Sequence, residues 1–222
     1  MNSKRTALVV GASGLTGRHL LTFLLNDPDY QKIFIFSRQP LPVKNEKLVQ
    51  KITAFDQGTV DKNLFTVHDV FCCLGTTIKK AGSQQTFREV DLTLVMHLAQ
   101  MASHQGAKNF LYVSTLGADP VSKIFYLKTK GETEIELMKL KFHSLHFFRP
   151  SLLIGNRKEF RFGEKIALIL SKLFFFLYVW PLKKYQPIKA KHLAQAMWQA
   201  AKKDMAGVFI YESDKIKNFL KK

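Results

Sequence analysis

The sequence predicts an α/β fold in which helices cover both faces of a doubly wound parallel sheet. Short apolar runs alternate with longer segments of helical periodicity along 222 residues, a length typical of one domain. The first run, Ala7–Val10, leads directly into glycines at Gly11, Gly14 and Gly17, after which apolar residues recur at helical spacing. A composition of 46% hydrophobic and 12% aromatic residues supplies enough apolar surface for a large core.

The stretch from Thr6 to Asn26 indicates a phosphate-binding turn. It reads as a strand, a glycine turn spaced G-x-x-G-x-x-G, and a helix. Glycine permits the tight turn, lets backbone N–H groups approach a pyrophosphate, and lets the new helix pack against the strand. The helix N-terminus then directs unpaired N–H groups toward the phosphates. The pattern predicts a Rossmann-like dinucleotide site, and a glycine turn without a ligand is the alternative.

The second apolar run, Lys32–Phe36, indicates which dinucleotide binds. NAD sites place an acid about 20 residues past the glycines, where it holds the ribose 2′-hydroxyl. No Asp or Glu occurs between Tyr30 and Asn45, and Arg38 follows the strand instead. Because a guanidinium suits a 2′-phosphate and a carboxylate would repel it, we predict NADP(H). The alternative is that Arg38 is a solvated loop residue.

Further apolar runs complete the predicted sheet, and polar groups follow several of them. In an open α/β sheet the carboxyl ends of the strands border the ligand crevice. We therefore expect Asp56 to meet the adenine, Gly75 to lie opposite Gly14, and Ser114 and Thr115 to face the crevice. The predicted strands are Lys51–Phe55, Asp69–Leu74, Asn109–Thr115, Ser144–Ser151 and Gly207–Tyr211, and the later helices cover Ser83–Gln105, Phe125–Lys141 and Lys191–Lys203.

Tyr126 and Lys130 form the predicted catalytic pair. Four residues apart on a helix, they share one face. A lysine ammonium one turn away favours the phenolate form of a tyrosine, which makes that hydroxyl usable in acid–base catalysis. Thr115 or Ser114 would polarise a substrate carbonyl. The arrangement predicts hydride transfer between a nicotinamide and a carbonyl or alcohol, and a surface helix pair is the alternative.

Charge and cysteine content limit the partners and the compartment. The net charge is +17, from 34 basic and 17 acidic residues, and it would attract phosphorylated ligands, anionic lipid or nucleic acid. We predict no metal site and no sequence-specific nucleic-acid binding, because neither zinc-ligand spacing nor a single basic helix occurs. Cys72 and Cys73 are adjacent, which argues against a disulfide and predicts small core residues. A reducing, cytoplasmic setting without a signal peptide is expected.

The most apolar run, Ile166–Leu182, has 17 residues with Lys172 near its middle, which barely meets the minimum for a membrane span. A buried or lid helix is predicted. Shallow membrane contact and a face for a protein partner or for self-association stay open. We expect one NAD(P)-binding domain over residues 1–222, with 152–189 as a substrate lid, as a monomer or homodimer. The Lys-rich C-terminal tail is expected to be exposed.

Several motifs together resemble the human Tat-interacting protein family, an atypical branch of the short-chain dehydrogenase/reductase superfamily. They are GASGLTGRHLL, FCCLGTT followed by KAG, YLKTKGETE and FRPSLLIGNR, and the resemblance covers Ala7 to Arg161. It implies an NADPH-binding Rossmann fold in which Tyr126 transfers a proton and Lys130 supports it and holds the ribose. The implied cofactor contacts are Ser13, Gly14, Leu15, Thr16, Arg38, Leu74, Gly75, Tyr126, Lys130, Leu153 and Arg161.

The resemblance leaves two functions open. Where the family often has a second basic residue after Arg38, this chain has Gln39, which weakens the argument for a strict NADPH preference. Some relatives bind NADPH and regulate partner proteins. The sequence therefore predicts an NADP(H)-dependent oxidoreductase acting on a small carbonyl or alcohol, with a non-catalytic NADPH-binding sensor or scaffold as the alternative.

Overall fold

A computed structural model describes residues 4–52, 62–155, 182–203 and 205–220 of the chain. The strands are β1 (Arg5–Val10), β2 (Tyr30–Ser37), β3 (Leu48–Ile52), β4 (Asp69–Cys72), β5 (Asn109–Val113), β6 (Ser144–Arg149), β7 (Leu153–Ile154), β8 (Ile188–Lys189) and β9 (Gly207–Glu212). Seven of them form one parallel sheet in the order β3-β2-β1-β4-β5-β6-β9, and β7 pairs with β8 in a second, small sheet. This order confirms the predicted Rossmann-like, doubly wound fold.

Among the described residues, the predicted helices are present, one of them interrupted, and two short helices, one after β4 and one after β9, were not predicted. The helices are α1 (Leu15–Asn26), α2 (Ile78–Ala81), α3 (Gln84–Arg88), α4 (Leu94–His104), α5 (Phe125–Met138), α6 (Ala190–Ala201) and α7 (Ser213–Asn218). A π-helical turn, Glu89–Thr93, separates α3 from α4. The single regular helix predicted over Ser83–Gln105 is therefore wrong in this stretch. Such π-turns occur frequently at functional sites.

The core lies on both faces of the main sheet because side chains alternate along β1. Ala7 and Val9 belong to the buried cluster that includes Leu20 and Leu24 of α1 and Met197 of α6. Leu8 and Val10 belong to the cluster on the other face, which includes Val95 and Leu98 of α4. Helices thus cover both faces, as the alternation of apolar runs and helical segments predicted.

The start of β3 differs from the prediction. The strand begins at Leu48, three residues before the predicted Lys51, and residues 53–61 lie outside the described chain. β3 is one of the two edge strands of the main sheet, where polar side chains are tolerated, so its start carries little apolar signal. The Gln50 side chain is held there by the Leu41 N–H at 2.8 Å and the Leu41 carbonyl at 3.1 Å.

Asp69 joins the amino ends of four strands, at the edge of the sheet opposite the predicted crevice. Its buried carboxylate accepts from Arg5 Nε at 2.9 Å and Nη2 at 2.6 Å, from the Tyr30 hydroxyl at 2.7 Å and from Asn109 Nδ2 at 2.7 Å. Each partner is the first residue of its strand. Asp69 therefore fixes the strands relative to one another at the end away from the predicted site.

The Lys-rich C-terminal segment is not simply exposed, because it forms α7. Ile216 and Phe219 are buried, and the Ser151 N–H donates to Ser213 Oγ at 2.8 Å. Ile216 and Phe219 are three residues apart, so they lie on the same side of this helical segment and face the core. Within the described residues, no helix is long and apolar enough to cross a membrane.

Candidate functional site

The crevice forms where the loops after β1 and β4 meet, at the point where the strand order reverses. Val10 pairs with Cys72, so the next residues of the two strands lie side by side. Gly11 has φ +82°, and a Cβ placed on it would lie 2.7 Å from the Cys73 carbonyl oxygen. Only glycine fits this approach, and the turn stays close to the Leu74 backbone.

The start of α1 is pressed against the same turn. A Cβ on Gly17 would lie 2.2 Å from the Gly11 carbonyl oxygen, so the helix contacts the turn without side chains between them. Gly14 occupies the N-cap position and makes no side-chain cap hydrogen bond. The first N–H groups of α1 are therefore suited to an anion such as a pyrophosphate. Ser13 is exposed here, whereas Leu15 and Thr16 are buried.

The end of β2 presents two polar residues beside this turn. Val10 pairs with Phe36, which places Ser37 one residue beyond, next to Gly11. Ser37 is 5% exposed, and its Oγ has no hydrogen-bond partner among the described residues. Arg38 follows and is exposed. The region predicted to face the ribose therefore combines an exposed cationic side chain with a buried hydroxyl.

Lys130 is the centre of a buried polar cluster that sequence reasoning only partly anticipated. Its Nζ lies 2.8 Å from Asp91 Oδ1, donates to the Tyr112 hydroxyl at 2.8 Å, and donates to the Val113 carbonyl at 3.3 Å. Burial opposes the charge on Lys130, but the Asp91 carboxylate and the Tyr112 and Tyr126 hydroxyls outweigh it and hold the pKa of Lys130 well above its usual value. Burial raises the pKa of Tyr112, so its hydroxyl stays protonated at neutral pH.

Asp91 connects Lys130 to the loop after β4. Its Oδ2 accepts the Thr76 N–H at 2.9 Å, and its backbone carbonyl accepts the Thr133 hydroxyl at 3.0 Å. Asp91 is fully buried in the π-helical turn. One carboxylate thus fixes both a candidate catalytic lysine and the FCCLGTT loop. Leu74 and Gly75 of this loop are half-buried.

Tyr126 is the second residue of α5, one turn before Lys130. Its half-buried ring lies edge-on to Phe87, with 5.8 Å between the ring centroids. Ser114, directly after β5, is 4% exposed, and its Oγ has no hydrogen-bond partner among the described residues. Thr115 beside it is half-buried. Lys130 thus contacts the end of β5 through the Val113 carbonyl, directly before Ser114, and Tyr126 lies one turn earlier on α5.

Other predicted contacts are placed only in part. Leu153 lies in β7, and a Cβ on Gly155 would meet Leu15 Cδ1 at 2.6 Å, so this segment lies against the start of α1. Asp56, Arg161 and nearly all of the apolar run, residues 166–181, lie outside the described residues. The roles of all these residues, and the lid over 152–189, stay predictions.

Sequence reasoning missed Asp91, Tyr112 and the hydroxyl of Ser37. One signal could have found Asp91. It stands four residues before Val95 and seven before Leu98, on the apolar stripe of the predicted helix, where an acid must have a partner. Tyr112 and Ser37 carried no comparable signal, because a tyrosine or serine at a strand end is ordinary.

These residues fit a dinucleotide cofactor. The glycines let the turn after β1 pack directly against the Cys73 backbone and the start of α1, and the buried hydroxyls of Ser37 and Ser114 have no partner among the described residues. The two serines follow or end different strands on opposite sides of the turn, as the two ends of an extended ligand require. Burial raises the pKa of the Cys72 thiol to about 12, which suits a core residue rather than a reactive one.

Comparison with known proteins places the chain among dinucleotide-binding proteins. Residues 11–139 match a family model described as NAD(P)H-binding. Protein HTATIP2 from Rattus norvegicus is 38% identical over 73% of this chain and 69% of its own length. FMP52 from Candida glabrata is 30% identical over 90% of this chain and 86% of its own length.

Solved structures agree on the fold. WbmH from Bordetella bronchiseptica, in complex with NAD+, has a TM-score of 0.68 at 16% identity, covering 96% of this chain and 78% of its own. UDP-glucuronic acid 4-epimerase from Bacillus cereus, with UDP-glucuronic acid and NAD, has a TM-score of 0.67 at 16% identity, covering 93% and 77%. At this identity the likeness shows the fold alone.

The predicted cytoplasmic location is contradicted. FMP52 from Candida glabrata, Debaryomyces hansenii and Lodderomyces elongisporus is named as mitochondrial. The prediction failed because free cysteines indicate a reducing compartment but do not show which reducing compartment it is. The resemblance read from the motifs, in contrast, is confirmed: the chain belongs to the NAD(P)H-binding family that includes HTATIP2 and FMP52.

Proposed function

We propose that the protein is an NADP(H)-dependent oxidoreductase that interconverts a carbonyl and an alcohol. The observation that carries the proposal is the position of Lys130, buried and fixed by Asp91 and Tyr112 one helical turn from Tyr126. If Tyr126 and Lys130 were only a pair on the surface of a helix, the Lys130 side chain would be exposed to solvent. The unpartnered hydroxyl of Ser114 supports the same site.

The cofactor half of the proposal rests on the glycine turn and on Arg38. The turn and the first N–H groups of α1 would hold the pyrophosphate, and Arg38 would pair with a 2′-phosphate. When bound, NADPH supplies a hydride to the substrate carbon.

The substrate half requires a proton and a polarising group. The Ser114 hydroxyl would donate a hydrogen bond to the carbonyl oxygen, with Thr115 as its neighbour. As that oxygen gains negative charge, Tyr126 would donate its hydroxyl proton and become a phenolate, which solvent reprotonates. Lys130 would stabilise the phenolate through its positive charge. Positioning and proton transfer of this kind contribute about 10²–10⁴-fold to a rate.

A panel of aldehydes and ketones tests the proposal by following NADPH oxidation. Wild type should turn over at least one compound, and Tyr126→Phe should lose about 10²-fold or more in kcat. Tyr211→Phe is the matched control, because Tyr211 lies in β9 and contacts His146 rather than the crevice. Equal losses in both variants would contradict the role given to Tyr126.

The cofactor assignment has a separate test. Fluorescence titration should show tighter binding of NADPH than of NADH, and Arg38→Ala should reduce that difference. Equal affinities in wild type, or a preference that survives the loss of Arg38, would overturn the assignment of Arg38 to the 2′-phosphate.

A second function, an NADPH-binding sensor, is favoured by one observation. The Asp91 carboxylate lies 2.8 Å from Lys130 Nζ and offsets much of the charge that would assist Tyr126. The same carboxylate accepts the Thr76 N–H, so a cofactor bound at Lys130 would alter the hydrogen bonding of the loop after β4. Tight NADPH binding without turnover, with new hydrogen-exchange protection over residues 74–81, would support the sensor.

A further inference from the structure

We infer that Arg149 is a positioning residue for the proposed reaction, because its forked ion pair with Glu134 fixes the orientation of α5 and with it the place of Tyr126. The inference rests on the proposed oxidoreductase function and adds a residue that acts through α5 rather than on the reacting atoms. Three observations carry it: the geometry of the pair, its place along α5, and the acids around Arg149.

The pair between Arg149 and Glu134 is bidentate and largely buried. Arg149 Nε donates to Glu134 Oε1 at 3.0 Å and to Oε2 at 3.2 Å, and Nη2 donates to Oε2. The two side chains are 21% and 2% exposed. A guanidinium fork and a carboxylate fit each other in a defined orientation, whereas a lysine is a point charge on a flexible stem. The pair therefore fixes the angle at which α5 lies against the end of β6.

Glu134 lies on the same side of α5 as Lys130 and Tyr126, at intervals of four residues. Lys130 is held in the middle of this row by Asp91 and Tyr112. Tyr126 and Glu134 each lie about 6 Å from Lys130 along the helix axis, in opposite directions, because an α-helix rises about 1.5 Å per residue. A tilt of α5 about Lys130 would therefore displace Tyr126 by about as much as Glu134. Fixing Glu134 prevents that tilt.

Arg149 lies among acids from three parts of the fold. Glu134 belongs to α5, Glu212 is the partner of Arg149 in the register of β6 and β9, and Asp119 belongs to the loop after β5. The hydrogen bonds with Glu134 and the attraction of all three acids raise the pKa of Arg149, although burial opposes the charge. The loop also lies directly against α5, because a Cβ on Gly131 would be 2.3 Å from the Asp119 carbonyl carbon. Arg149 thus stabilises the contacts of α5 with the sheet and with this loop.

The chain contains a second pair of the same kind, which serves as a matched control. Arg5 donates to both carboxylate oxygens of Asp69, from Nε at 2.9 Å and from Nη2 at 2.6 Å, and the side chains are 19% and 0% exposed. This pair joins β1 to β4 at the edge of the sheet away from the crevice. Because the two pairs are alike in geometry and burial, the same substitution in each should have a similar effect on stability. Only the substitution of Arg149 should affect the reaction.

Steady-state kinetics and thermal unfolding of Arg149→Lys and Arg5→Lys test the inference. Each substitution keeps the cation and removes the fork, so the two Tm values should fall by similar amounts. With a carbonyl compound that wild type reduces, Arg149→Lys should lower kcat about 10²-fold, the effect of displacing reacting groups by about 1 Å. KM and the NADPH affinity should change less than about threefold, because Lys130 keeps its own partners. Arg5→Lys should leave kcat within about twofold of wild type.

Hydrogen exchange without cofactor provides a readout that does not depend on turnover. The amides of residues 128–132, in the first half of α5, should exchange faster in Arg149→Lys than in wild type and should be unchanged in Arg5→Lys. An unchanged kcat in Arg149→Lys, equal losses of kcat in both variants, or unchanged exchange in α5 would overturn the inference. If wild type reduces no compound of the panel, the proposed oxidoreductase function fails, and the exchange result decides whether Arg149 orients α5.

Discussion

Replacing Asp91 with asparagine tests whether the buried cluster around Lys130 has been interpreted correctly. The substitution keeps the shape of the side chain and an oxygen acceptor for the Thr76 N–H, but it removes the negative charge beside Lys130. The Lys130 side chain is 4% exposed and that of Asp91 is fully buried, so water cannot replace the lost charge. Asp91→Asn therefore leaves an ammonium in the core without a counter-ion.

The size of the effect follows from the geometry. At 2.8 Å and an effective dielectric of about 20, the attraction of two unit charges is about 6 kcal/mol. The asparagine oxygen and the remaining bonds from Lys130 to Tyr112 and Val113 recover part of it. We expect the free energy of unfolding to fall by about 3–5 kcal/mol, the usual cost of breaking a buried pair. For a chain of this size, that corresponds to a decrease in Tm of roughly 6–20 °C.

Urea denaturation of three variants measures this effect. Asp91→Asn combined with Lys130→Met removes both charges and should recover most of the loss, since a neutral pair of similar volume is tolerated in a core. Glu136→Gln breaks the pair that Lys139 Nζ makes at 2.6 Å, with side chains 63% and 42% exposed, and should cost less than about 1 kcal/mol. A loss below about 1 kcal/mol for Asp91→Asn, or no recovery in the double variant, would refute the interpretation.

The same pair predicts a pH dependence. The pKa of Lys130 is raised in the folded protein, although burial opposes it, because Asp91 stabilises the charge. Its contribution to stability is therefore fully present below the unfolded pKa of 10.5 and is lost only as the pH rises through the folded value. Lys130→Met should flatten the alkaline limb of the stability curve.

Three further outcomes follow from the described contacts. Burial, together with Lys203, lowers the pKa of His146 from 6.5 to about 4 in the folded protein. The folded state therefore keeps His146 neutral, and the free energy of unfolding decreases as the pH falls from 6.5 to 4. In urea titrations, His146→Gln should reduce the slope of that decrease by up to about 1.4 kcal/mol per pH unit. Asp69→Ala should cost about 3–5 kcal/mol in urea yet leave the NADPH affinity of the folded protein unchanged, because Asp69 lies at the opposite edge of the sheet; a large change in affinity would contradict this separation. Gly17→Ala should abolish NADPH binding measured by fluorescence, because the new Cβ would lie 2.2 Å from the Gly11 carbonyl oxygen. Gly106→Ala is the control, because a Cβ there meets nothing within 4 Å, and it should lower the free energy of unfolding only by the backbone strain of about 1–2 kcal/mol.

The fold could be predicted because its signals are local and repeated. Each buried strand is a short apolar run, and each helix start or stop falls near a glycine or a polar residue. The doubly wound class follows from the glycine turn, since that turn occurs after the first strand of such a sheet. The start of β3 was misplaced because an edge strand with Gln50 and Lys51 does not need an apolar sequence.

The site could be predicted only where a motif specifies it. Tyr126 and Lys130 were found from their spacing, and Arg38 from the absence of acids around it. The place of Asp91 on the apolar stripe predicts a buried partner, but neither the identity of that partner, Lys130 of α5, nor the π-helical turn around Asp91 follows from helical periodicity. Ser37 is distinguished by an absent hydrogen bond, which requires coordinates.

The hydrogen-bonding capacity of Lys130 links the two candidate functions. An ammonium has three N–H donors, and Lys130 donates hydrogen bonds to the Tyr112 hydroxyl and the Val113 carbonyl, whereas its 2.8 Å contact with Asp91 Oδ1 is an ion pair in which that oxygen makes no hydrogen bond among the described residues. One donor would therefore be left for a ribose hydroxyl, and the bond to the Val113 carbonyl at 3.3 Å is the longer of the two hydrogen bonds. Val113 is the last residue of β5, directly before Ser114. Lys130 would thus connect a bound ribose to the strand end next to Ser114, the hydroxyl proposed to polarise the substrate in an enzyme. Through Asp91 and the Thr76 N–H it would connect the same ribose to the loop after β4, as a sensor requires.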